Sequence, residues 1–387
     1  MIIKSFDLVV IGAGASGVNV AYEACKRGLQ VALLDSGDIG GATSSRSTKL
    51  LHGGVRYLEL AFKTLDFSQL KLVREALLER GYWLSQVPFL AKKLELILPT
   101  ENCLEQSYFR LGLGLYDLLS GSQRIGNSRL LTSEEISRSL PLLKNKSCKG
   151  VAYQDGQFDD ARLNLLIALT AERAGAVIRT YTKVIGFKFD SNGNVCGVIS
   201  QNRNFIEEQW NAKVVVNATG ICSDKIRQLA DKNVEERMIT SRGVHLVLES
   251  NFCPEGKGLL VPSTDDGRVL FILPFHNQTL LGTTDKTCNI NEATKPSKEE
   301  ENYLIDHMQK IFSLNVKPKI SSSWAGGRPL LKPSQKSIQS SRLVREHEVE
   351  ILPCGLISIM GGKWTTCRIM ALDTIKSVER VLGKTLT

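Results

Sequence analysis

Three short segments of the sequence place a basic side chain within two residues after a pair of glycines. These segments are His52–Tyr57 with the sequence HGGVRY, Gly326–Leu330 with the sequence GGRPL, and Gly361–Arg368 with the sequence GGKWTTCR. The first offers an acid–base group, a cation and a phenol, and each of the other two offers a single cation directly after its glycines. A glycine pair that opens a helix also presents backbone N–H groups to an anion or a carbonyl. Arg328 and Lys363 could equally be ordinary surface charges.

A fourth pattern, at the start of the chain, predicts a dinucleotide-binding turn. Gly12, Gly14 and Gly17 have the spacing GxGxxG, and Asp35 follows 23 positions after Gly12. The glycines allow a tight turn, a close approach of backbone to a pyrophosphate and close packing of a helix on a strand. Asp35 can accept hydrogen bonds from a ribose. Ala15 and Ser16 complete this candidate cofactor site, although the same turn could be a packing feature of an unrelated α/β domain.

Two further segments contain small and hydroxyl side chains suited to a cofactor. Residues 41–51 are rich in Gly, Ser and Thr, and such a loop can wrap a planar cofactor and donate hydrogen bonds to its phosphates. Its candidate residues are Thr43, Ser44, Ser45, Lys49 and Leu50. Ala218 and Gly220 follow the apolar run VVVN, where a backbone can pass close to a flavin. The alternatives are a solvated loop and an ordinary turn between a strand and a helix.

The elements that must position these residues alternate between strand and helix. Phe6–Ile11 and Gln30–Leu34 are predicted strands, and Val18–Arg27 is a predicted helix that ends at Gly28. Further helices are predicted at Leu65–Leu84, Gln106–Leu119, Thr132–Leu140, Arg162–Ala174, Lys298–Phe312 and Thr365–Leu382. Residues 239–286 are rich in strands, and Ser321–Ser323 is predicted as a polar loop. The length of 387 residues favours two interleaved domains in an α/β fold.

Composition narrows the class of protein. The net charge is +9, but the basic residues are dispersed, so we exclude nucleic acid and favour an anionic substrate or membrane surface. The nine cysteines form no CxxC pair, and there is no zinc-finger spacing, so we predict no metal site. No run of 18 apolar residues is present. We expect a reduced, cytoplasmic location, with peripheral contact at the inner face of a membrane as an option.

Taken together, these motifs resemble the FAD-dependent glycerol-3-phosphate dehydrogenases, within the wider fold of the D-amino-acid oxidases. The matching segments are IGAGASG, ATSSRSTKLLHGGVRYLE, FDDARL, VNATG, LGTTD, GGRPL and GGKWTTCR, in the order of the family and over nearly the whole chain. The resemblance covers the catalytic core. The family's additional C-terminal helical domain is expected to be absent after Thr387, and Cys367 stands where the family would have an aromatic residue.

The resemblance implies a Rossmann-like FAD-binding domain interleaved with a mixed-sheet substrate domain. The first is expected at residues 1–62, 150–232 and 350–387, and the second at 63–149 and 233–349. Besides the residues named above, the resemblance implies cofactor contacts from Val184, Gly362, Lys363, Trp364 and Thr365.

The resemblance also implies oxidation of sn-glycerol 3-phosphate to dihydroxyacetone phosphate, with hydride passing to flavin N5 and electrons onward to a quinone or oxygen. A phosphate dianion needs close cations, because one cation at ~4 Å contributes about 4 kcal/mol per unit charge at an effective dielectric near ~20. The candidates are Arg56, Lys363 and Arg345, with Tyr57 as a hydrogen-bond donor. Arg328 is expected to face the C2 oxygen.

A base must take the hydroxyl proton, and the chain has five histidines from which to choose: His52, His245, His276, His307 and His347. His307 lies in a predicted polar helix, where its side chain is expected to be solvated, and His276 and His347 lie in predicted loops. We favour His52 over His245, although either could be a structural histidine.

Two other functions stay open at this point. One is an FAD enzyme of the same fold that acts on another 2-hydroxy acid or an amino acid, which would need no substrate phosphate. The other is a regulator that binds FAD without catalysis. The cations beside glycine turns argue against the regulator.

Overall fold

The computed structural model describes residues 4–55, 67–145, 149–314, 316–332 and 347–386. Within these residues there are eight α-helices and eighteen β-strands. The helices are α1 (Ala15–Lys26), α2 (Phe67–Gln86), α3 (Cys103–Leu119), α4 (Ser133–Ser139), α5 (Asp160–Arg173), α6 (Ser223–Ala230), α7 (Lys298–Ile311) and α8 (Cys367–Leu382). The strands are β1 (Lys4–Ile11), β2 (Val31–Leu34), β3 (Leu50–Leu51), β4 (Ala91–Thr100), β5 (Arg129–Leu131), β6 (Lys149–Phe158), β7 (Val177–Arg179), β8 (Thr182–Phe189), β9 (Val195–Asn202), β10 (Glu207–Asn217), β11 (Met238–Leu248), β12 (Gly258–Val261), β13 (Leu270–Phe275), β14 (Gln278–Gly282), β15 (Lys286–Thr287), β16 (Ile320–Leu331), β17 (His347–Ile351) and β18 (Ile357–Gly361).

The first sheet has eight strands and contains the predicted strand–helix–strand start. Its strands follow the order β17-β18-β10-β1-β2-β7, and β8 and β9 extend it from β10. β1 lies parallel to both β2 and β10, and its apolar residues are buried on both faces, because α1 and α8 cover one side and apolar residues of β8 and β9 pack against the other. The predicted helix begins earlier than expected, at Ala15, because Gly14 is its N-cap.

The second sheet has ten strands and also mixes parallel and antiparallel pairs, which confirms the predicted mixed-sheet fold. Its strands follow the order β15-β11-β14-β13-β12-β4-β6-β3, with β16 on β11 and β5 on β6. The predicted polar loop at Ser321–Ser323 is wrong, because these residues lie inside β16. Strand β11 pairs with β16 along nearly its whole length. Backbone hydrogen bonds to a distant partner outweigh local polarity in such a segment.

Two histidines also differ from the prediction. His307 was predicted to be solvated in a polar helix, yet its side chain is buried in α7 and its Nδ1 lies 2.8 Å from the Tyr303 carbonyl oxygen. The apolar residues of α7, including Leu304 and Met308, pack into the core over the second sheet. The neighbouring His307 side chain is buried by the same packing. His347 was predicted in a loop and instead begins β17.

The predicted division into two domains stays a prediction, and the sheets depart from it at two strands. Strands β3 and β6 belong to residues expected in the FAD-binding domain, but both pair in the second sheet. The reason is that β6 pairs with β4 over ten residues, from Ala91 opposite Phe158 to Thr100 opposite Lys149.

Candidate functional site

The glycine turn after β1 is closed by contacts that leave no room for a side chain. Gly12 has a φ of +101°, and a Cβ there would lie 2.7 Å from the carbonyl oxygen of Ala218. A Cβ at Gly17 would overlap the carbonyl oxygen of Gly12. Ala218 in turn donates its N–H to the carbonyl oxygen of Ile11 at 2.8 Å, and Gly220 has a φ of +57°. The first turn of α1 is therefore held tightly against the ends of β1 and β10.

The N-terminus of α1 is suited to a pyrophosphate. Its N-cap residue Gly14 contributes no side chain, and a Cβ there would lie 3.0 Å from Ser44 Oγ. Ser44 Oγ accepts the N–H of Ala15 at 2.9 Å. Ser16 lies in the same first turn, where backbone N–H groups have no partner within the helix. These residues fit the pyrophosphate of FAD, because the backbone can approach closely and the helix dipole favours an anion.

Asp35 lies at the carboxyl end of β2, beside the glycine turn. Its Oδ2 accepts the N–H of Ala13 at 2.6 Å, and its Oδ1 accepts the N–H of Gly37 at 2.7 Å. Burial raises the pKa of Asp35, and the two N–H groups oppose that rise. The Asp35 carbonyl oxygen accepts the N–H of Thr182, which brings the start of β8 to this end of the sheet. The Val184 side chain is buried in the core, so any contact of Val184 with a cofactor would come from its backbone.

The loop of residues 43–49 joins the glycine turn to the second sheet. Thr43 Oγ1 donates to the carbonyl oxygen of Gly327 at 2.6 Å. Trp364 Nε1 donates to the carbonyl oxygen of Ser44 at 3.0 Å, and Thr48 Oγ1 lies 2.9 Å from His245 Nε2. The structure thus brings together three segments that are more than 190 residues from this loop in sequence.

Lys49 anchors this loop from within. Its φ is +60°, and its ammonium group donates to the carbonyl oxygen of Ser45 at 2.8 Å and forms a short ion pair with Asp160. Asp160 also accepts the N–H of Ser47 at 2.9 Å. Burial raises the pKa of Asp160, and Lys49 opposes that rise. The neighbouring Leu50 is buried in β3, so its side chain belongs to the core.

Arg328 lies in β16, and three groups from the segment after β14 orient its guanidinium. Nη2 donates to Thr283 Oγ1 at 3.0 Å, and Nη1 donates to the carbonyl oxygen of Thr284 at 3.2 Å. Asp285 Oδ1 lies 3.5 Å from Nη1 and also accepts a short hydrogen bond from Ser241 Oγ. These contacts hold the charge in a half-buried position, so Arg328 is not an ordinary surface residue.

His245 is enclosed beside Arg328 and Lys49. Its ring stacks on Trp324 at a centroid distance of 5.7 Å and an interplanar angle of 20°. Burial, followed by the charges of Arg328 and Lys49, lowers the pKa of His245 to about 3. The imidazole is therefore neutral at physiological pH, with Thr48 as its hydrogen-bond partner.

His52 lies in the loop after β3, against the turn that precedes α8. Its N–H donates to Thr365 Oγ1 at 3.3 Å, and its side chain is half-buried. In that turn, Gly361 and Gly362 have φ values of +74° and +84°, and a Cβ at Gly362 would overlap Met370 Sδ. The half-buried Lys363 follows directly.

Three predicted substrate-binding residues, Arg56, Tyr57 and Arg345, lie outside the described residues. Cys367, which departs from the family pattern, begins α8, and its thiol accepts a hydrogen bond from Asn19 Nδ2 at 3.3 Å. Burial raises the pKa of Cys367.

Sequence reasoning missed the groups that support these residues. Thr48, Thr283 and Asp160 bind a predicted site residue through their side chains, and Thr284 does so through its carbonyl oxygen. All four lie within motifs that were noted without a role for the individual residue. Their position inside the motifs was the only signal. A hydroxyl or carboxylate in such a motif gives no indication of which distant group it will bind.

The fold and this constellation define a flavin-dependent oxidoreductase. The family model for FAD dependent oxidoreductases (DAO) matches residues 7–368, and the chain belongs to that family. The predicted cofactor FAD and the predicted class of enzyme are thereby confirmed.

Two relatives are both mitochondrial glycerol-3-phosphate dehydrogenases. The chain is 40% identical over 390 residues to the mitochondrial glycerol-3-phosphate dehydrogenase of Homo sapiens, which covers 97% of this chain and 53% of the relative. It is 41% identical over 379 residues to a mitochondrial glycerol-3-phosphate dehydrogenase of Arabidopsis thaliana, covering 95% of this chain and 60% of that one. The chain therefore spans little more than half the length of these relatives.

A solved structure of this kind is similar over nearly the whole chain. The glycerol-3-phosphate dehydrogenase of Bacillus halodurans complexed with FAD superposes with a TM-score of 0.76 at 29% sequence identity. The match covers 99% of this chain and 66% of that one.

Proposed function

We propose that this protein oxidises sn-glycerol 3-phosphate to dihydroxyacetone phosphate with FAD. The observation that carries the proposal is the meeting of the 43–49 loop, His245, the Gly326–Arg328 segment and the Gly361–Thr365 turn at one place. Identity near 40% to enzymes of that name, over almost the whole chain, supports the same substrate. Bound FAD supplies the acceptor for the hydride of the substrate C2 atom.

The cofactor would be held by backbone at its phosphate end and by loops at its flavin end. The N–H groups of the first turn of α1 bind the pyrophosphate, and Asp35 accepts from the adenosine ribose. Ser44, Gly220 and the Gly362–Thr365 turn enclose the remainder. Glycines at closed positions let the backbone reach the cofactor, as the contacts of Gly12 and Gly17 support.

Arg328 is proposed to face the C2 oxygen of the substrate and to stabilise the negative charge that develops as its proton leaves. The contacts to Thr283 and Thr284 support this role, because a guanidinium that is already oriented needs little reorganisation during the reaction. Lys363 is proposed to bind the substrate phosphate, together with Arg56, Tyr57 and Arg345.

His52 is proposed as the base. A general base acts best when its pKa lies near the working pH, and burial has moved the pKa of His245 to about 3. His245 is therefore a poor proton acceptor, and we assign it the role of orienting Thr48 and the 43–49 loop.

The test is anaerobic reduction of the purified holoprotein. We expect glycerol 3-phosphate to bleach the flavin absorbance, whereas glycerol, lactate and amino acids leave it unchanged. Bleaching by an amino acid or by lactate would instead indicate another substrate class within the same fold. Bound FAD that none of these compounds reduces would indicate a regulator.

We further propose that electrons leave to a quinone at an anionic membrane surface, with the protein bound peripherally to the cytoplasmic face. Among the described helices, none has both the length and the apolar character to cross a bilayer. Helix α3, however, carries an exposed apolar stripe formed by Leu104, Tyr108, Leu111 and Leu118, whose side chains are 51% to 84% exposed. Their spacing places them on one face, which is the pattern of a helix that lies on a bilayer.

Flotation with anionic vesicles tests the membrane contact. The double variant Leu104→Gln/Leu111→Gln should lose binding, because each change removes apolar area that would enter the bilayer. The control is Leu165→Gln/Leu169→Gln, two exposed leucines on α5. Equal flotation of both variants, or none by the wild type, would contradict the proposal and leave oxygen as the favoured acceptor.

A further inference from the structure

The loop that carries His52 is held from both sides by hydroxyl groups of distant elements. The His52 N–H donates to Thr365 Oγ1 at 3.3 Å, and the next N–H, that of Gly53, donates to Tyr116 Oη at 2.7 Å. Two consecutive backbone donors are thus bound by side chains from the turn before α8 and from α3. Such pairing fixes the orientation of the peptide plane between His52 and Gly53.

Tyr116 is itself the first member of a buried chain of hydrogen bonds. Its hydroxyl donates to Asp155, at 2.9 Å from Oδ1 and 3.2 Å from Oδ2. Asp155 Oδ1 also accepts from Arg80 Nη1 at 2.8 Å. All three side chains are at most 2% exposed, so the group is enclosed in protein.

The protonation states of Tyr116 and Asp155 agree with a hydrogen bond that the tyrosine hydroxyl donates to the carboxylate. Burial and the charge of Asp155 raise the pKa of Tyr116 well above its ordinary value, so the phenol keeps the proton that it donates. Burial raises the pKa of Asp155 to about 6, and Arg80 opposes that rise, so the carboxylate is mainly ionised at neutral pH. Arg80 is further bound to the carbonyl oxygen of Gln154 at 2.9 Å and to Ser120 Oγ at 3.0 Å.

A buried ion pair of this kind contributes little net stability, because both charged groups lose their hydration when they are buried. Leucine-rich packing surrounds it, since Leu77, Leu94 and Leu113 belong to the same core. An apolar group would fill the space but could not accept the Gly53 N–H. A Cβ at Gly53 would also lie within 3 Å of both Leu77 and Tyr116, so the backbone must approach the ring closely.

We propose that Tyr116, Asp155 and Arg80 are positioning residues for the proposed base, His52. They set the position of the His52–Gly53 peptide through the chain Arg80–Asp155–Tyr116–Gly53, and they do not touch the substrate. The assignment of His52 as base rests on the proposed function, whereas the anchoring of the loop does not. Misplacement of a catalytic group by about 1 Å can lower a rate by about 100-fold.

The test uses Tyr116→Phe in the holoprotein, because this change deletes the hydroxyl and keeps the ring. The matched control is Tyr153→Phe, which removes a neighbouring buried hydroxyl and leaves the bond to Gly53 intact. The Tyr153 ring packs edge to face against Tyr116 at 6.0 Å. Two readouts are needed: amide hydrogen exchange in a peptide spanning residues 50–55, and the rate of flavin reduction by glycerol 3-phosphate in anaerobic stopped flow.

We expect faster exchange at residues 52–53 and at least a tenfold slower limiting rate of reduction for Tyr116→Phe, with the substrate concentration for half-maximal rate nearly unchanged. Tyr153→Phe should match the wild type in both. If Tyr116→Phe does not fold, Ser120→Ala, which removes one hydrogen bond to Arg80 and one to the Tyr116 carbonyl oxygen, should show the same two effects at smaller size.

Unchanged exchange in Tyr116→Phe would overturn the anchoring. Faster exchange with an unchanged rate of reduction would overturn the role in catalysis. If glycerol 3-phosphate fails to reduce the wild type while exchange responds as expected, the proposed substrate is wrong and the anchoring of the loop stands.

Discussion

The glycine turn around α1 and the group of charged residues around Arg328 are built in opposite ways. The turn depends on backbone, on glycines without side chains and on a helix terminus within residues 11–35, and the Ala218 backbone and the Ser44 hydroxyl contact it from elsewhere in the chain. The group around Arg328 depends on side chains, and its members come from the second sheet, the 43–49 loop and the turn before α8. In the proposed function, the first region binds the dinucleotide and the second selects the substrate.

Because of this difference, substitutions in the two regions should have different effects. A change in the turn should abolish cofactor binding by steric overlap, while a change in the second region should leave the cofactor bound and lower the rate. Four predictions test this contrast, beginning with the largest expected effect.

Gly17→Ala should yield protein without FAD, because the new Cβ overlaps the Gly12 carbonyl oxygen. Overpacking of this kind costs about 1–3 kcal/mol or more of stability. The measurements are the flavin-to-protein absorbance ratio after purification and the melting temperature. Gly112→Ala in α3 is the control, since a Cβ there meets nothing within 4 Å and should leave the FAD content unchanged. Full flavin content in Gly17→Ala would refute the role of this contact.

Arg328→Gln should keep FAD and lower kcat/KM for glycerol 3-phosphate by about 100-fold or more, the usual loss for one preorganised donor. Arg328→Lys should recover little, because an ammonium group cannot reproduce the bonds to Thr283 and Thr284. Steady-state assays with an artificial dye acceptor measure the effect. Arg173→Gln, an exposed change in α5, serves as the control. Loss of flavin in Arg328→Gln would show that the two regions are not separable.

Asp35→Asn should weaken FAD binding by about tenfold or more, because bonds to a charged acceptor contribute about 1.5–3 kcal/mol. The amide keeps only one acceptor for the two N–H groups that Asp35 now binds. Fluorescence titration of the apoprotein with FAD gives the dissociation constant. The exposed Asp38→Asn is the control, and an equal effect of both changes would remove Asp35 from the cofactor site.

His245 should make stability depend on pH. Its pKa is about 3 in the folded protein and near 6.5 when exposed, so the unfolded chain binds a proton that the folded protein does not. The stability that the neutral His245 side chain contributes is present above pH 6.5 and is lost as the pH falls toward about 3, the pKa of the folded state. Between pH 7 and 5.5 the free energy of unfolding should fall by about 1 kcal/mol from this group.

Urea unfolding of the wild type and of His245→Asn at both pH values isolates that contribution. The variant should lose about 1 kcal/mol less than the wild type. His276→Asn, in an exposed turn, should behave as the wild type. Equal pH dependence in His245→Asn and the wild type would show that the imidazole is not held neutral.

The sequence alone determined the strand–glycine–helix–strand start, most of the helices and the family. These features depend on local patterns, such as apolar periodicity, the phase of the glycines and the order of short motifs. The predicted helix at Thr132–Leu140 is an example, because the two residues of its capping box, Thr132 and Glu135, lie within one turn of α4. The motifs also indicated the right cofactor, since a flavin-binding loop is continuous in sequence.

Only the tertiary structure decided how the motifs meet. It placed Ser321–Ser323 in a strand, because β11 supplies the partner that local sequence cannot show. It distinguished His245 from His52 through burial, which depends on the packing of Trp324, Lys49 and Arg328 around one ring. It also showed that the Gly53 N–H binds the Tyr116 hydroxyl, which in turn donates to Asp155. Contacts between residues far apart in the chain depend on the packing of whole sheets, and no local pattern encodes them.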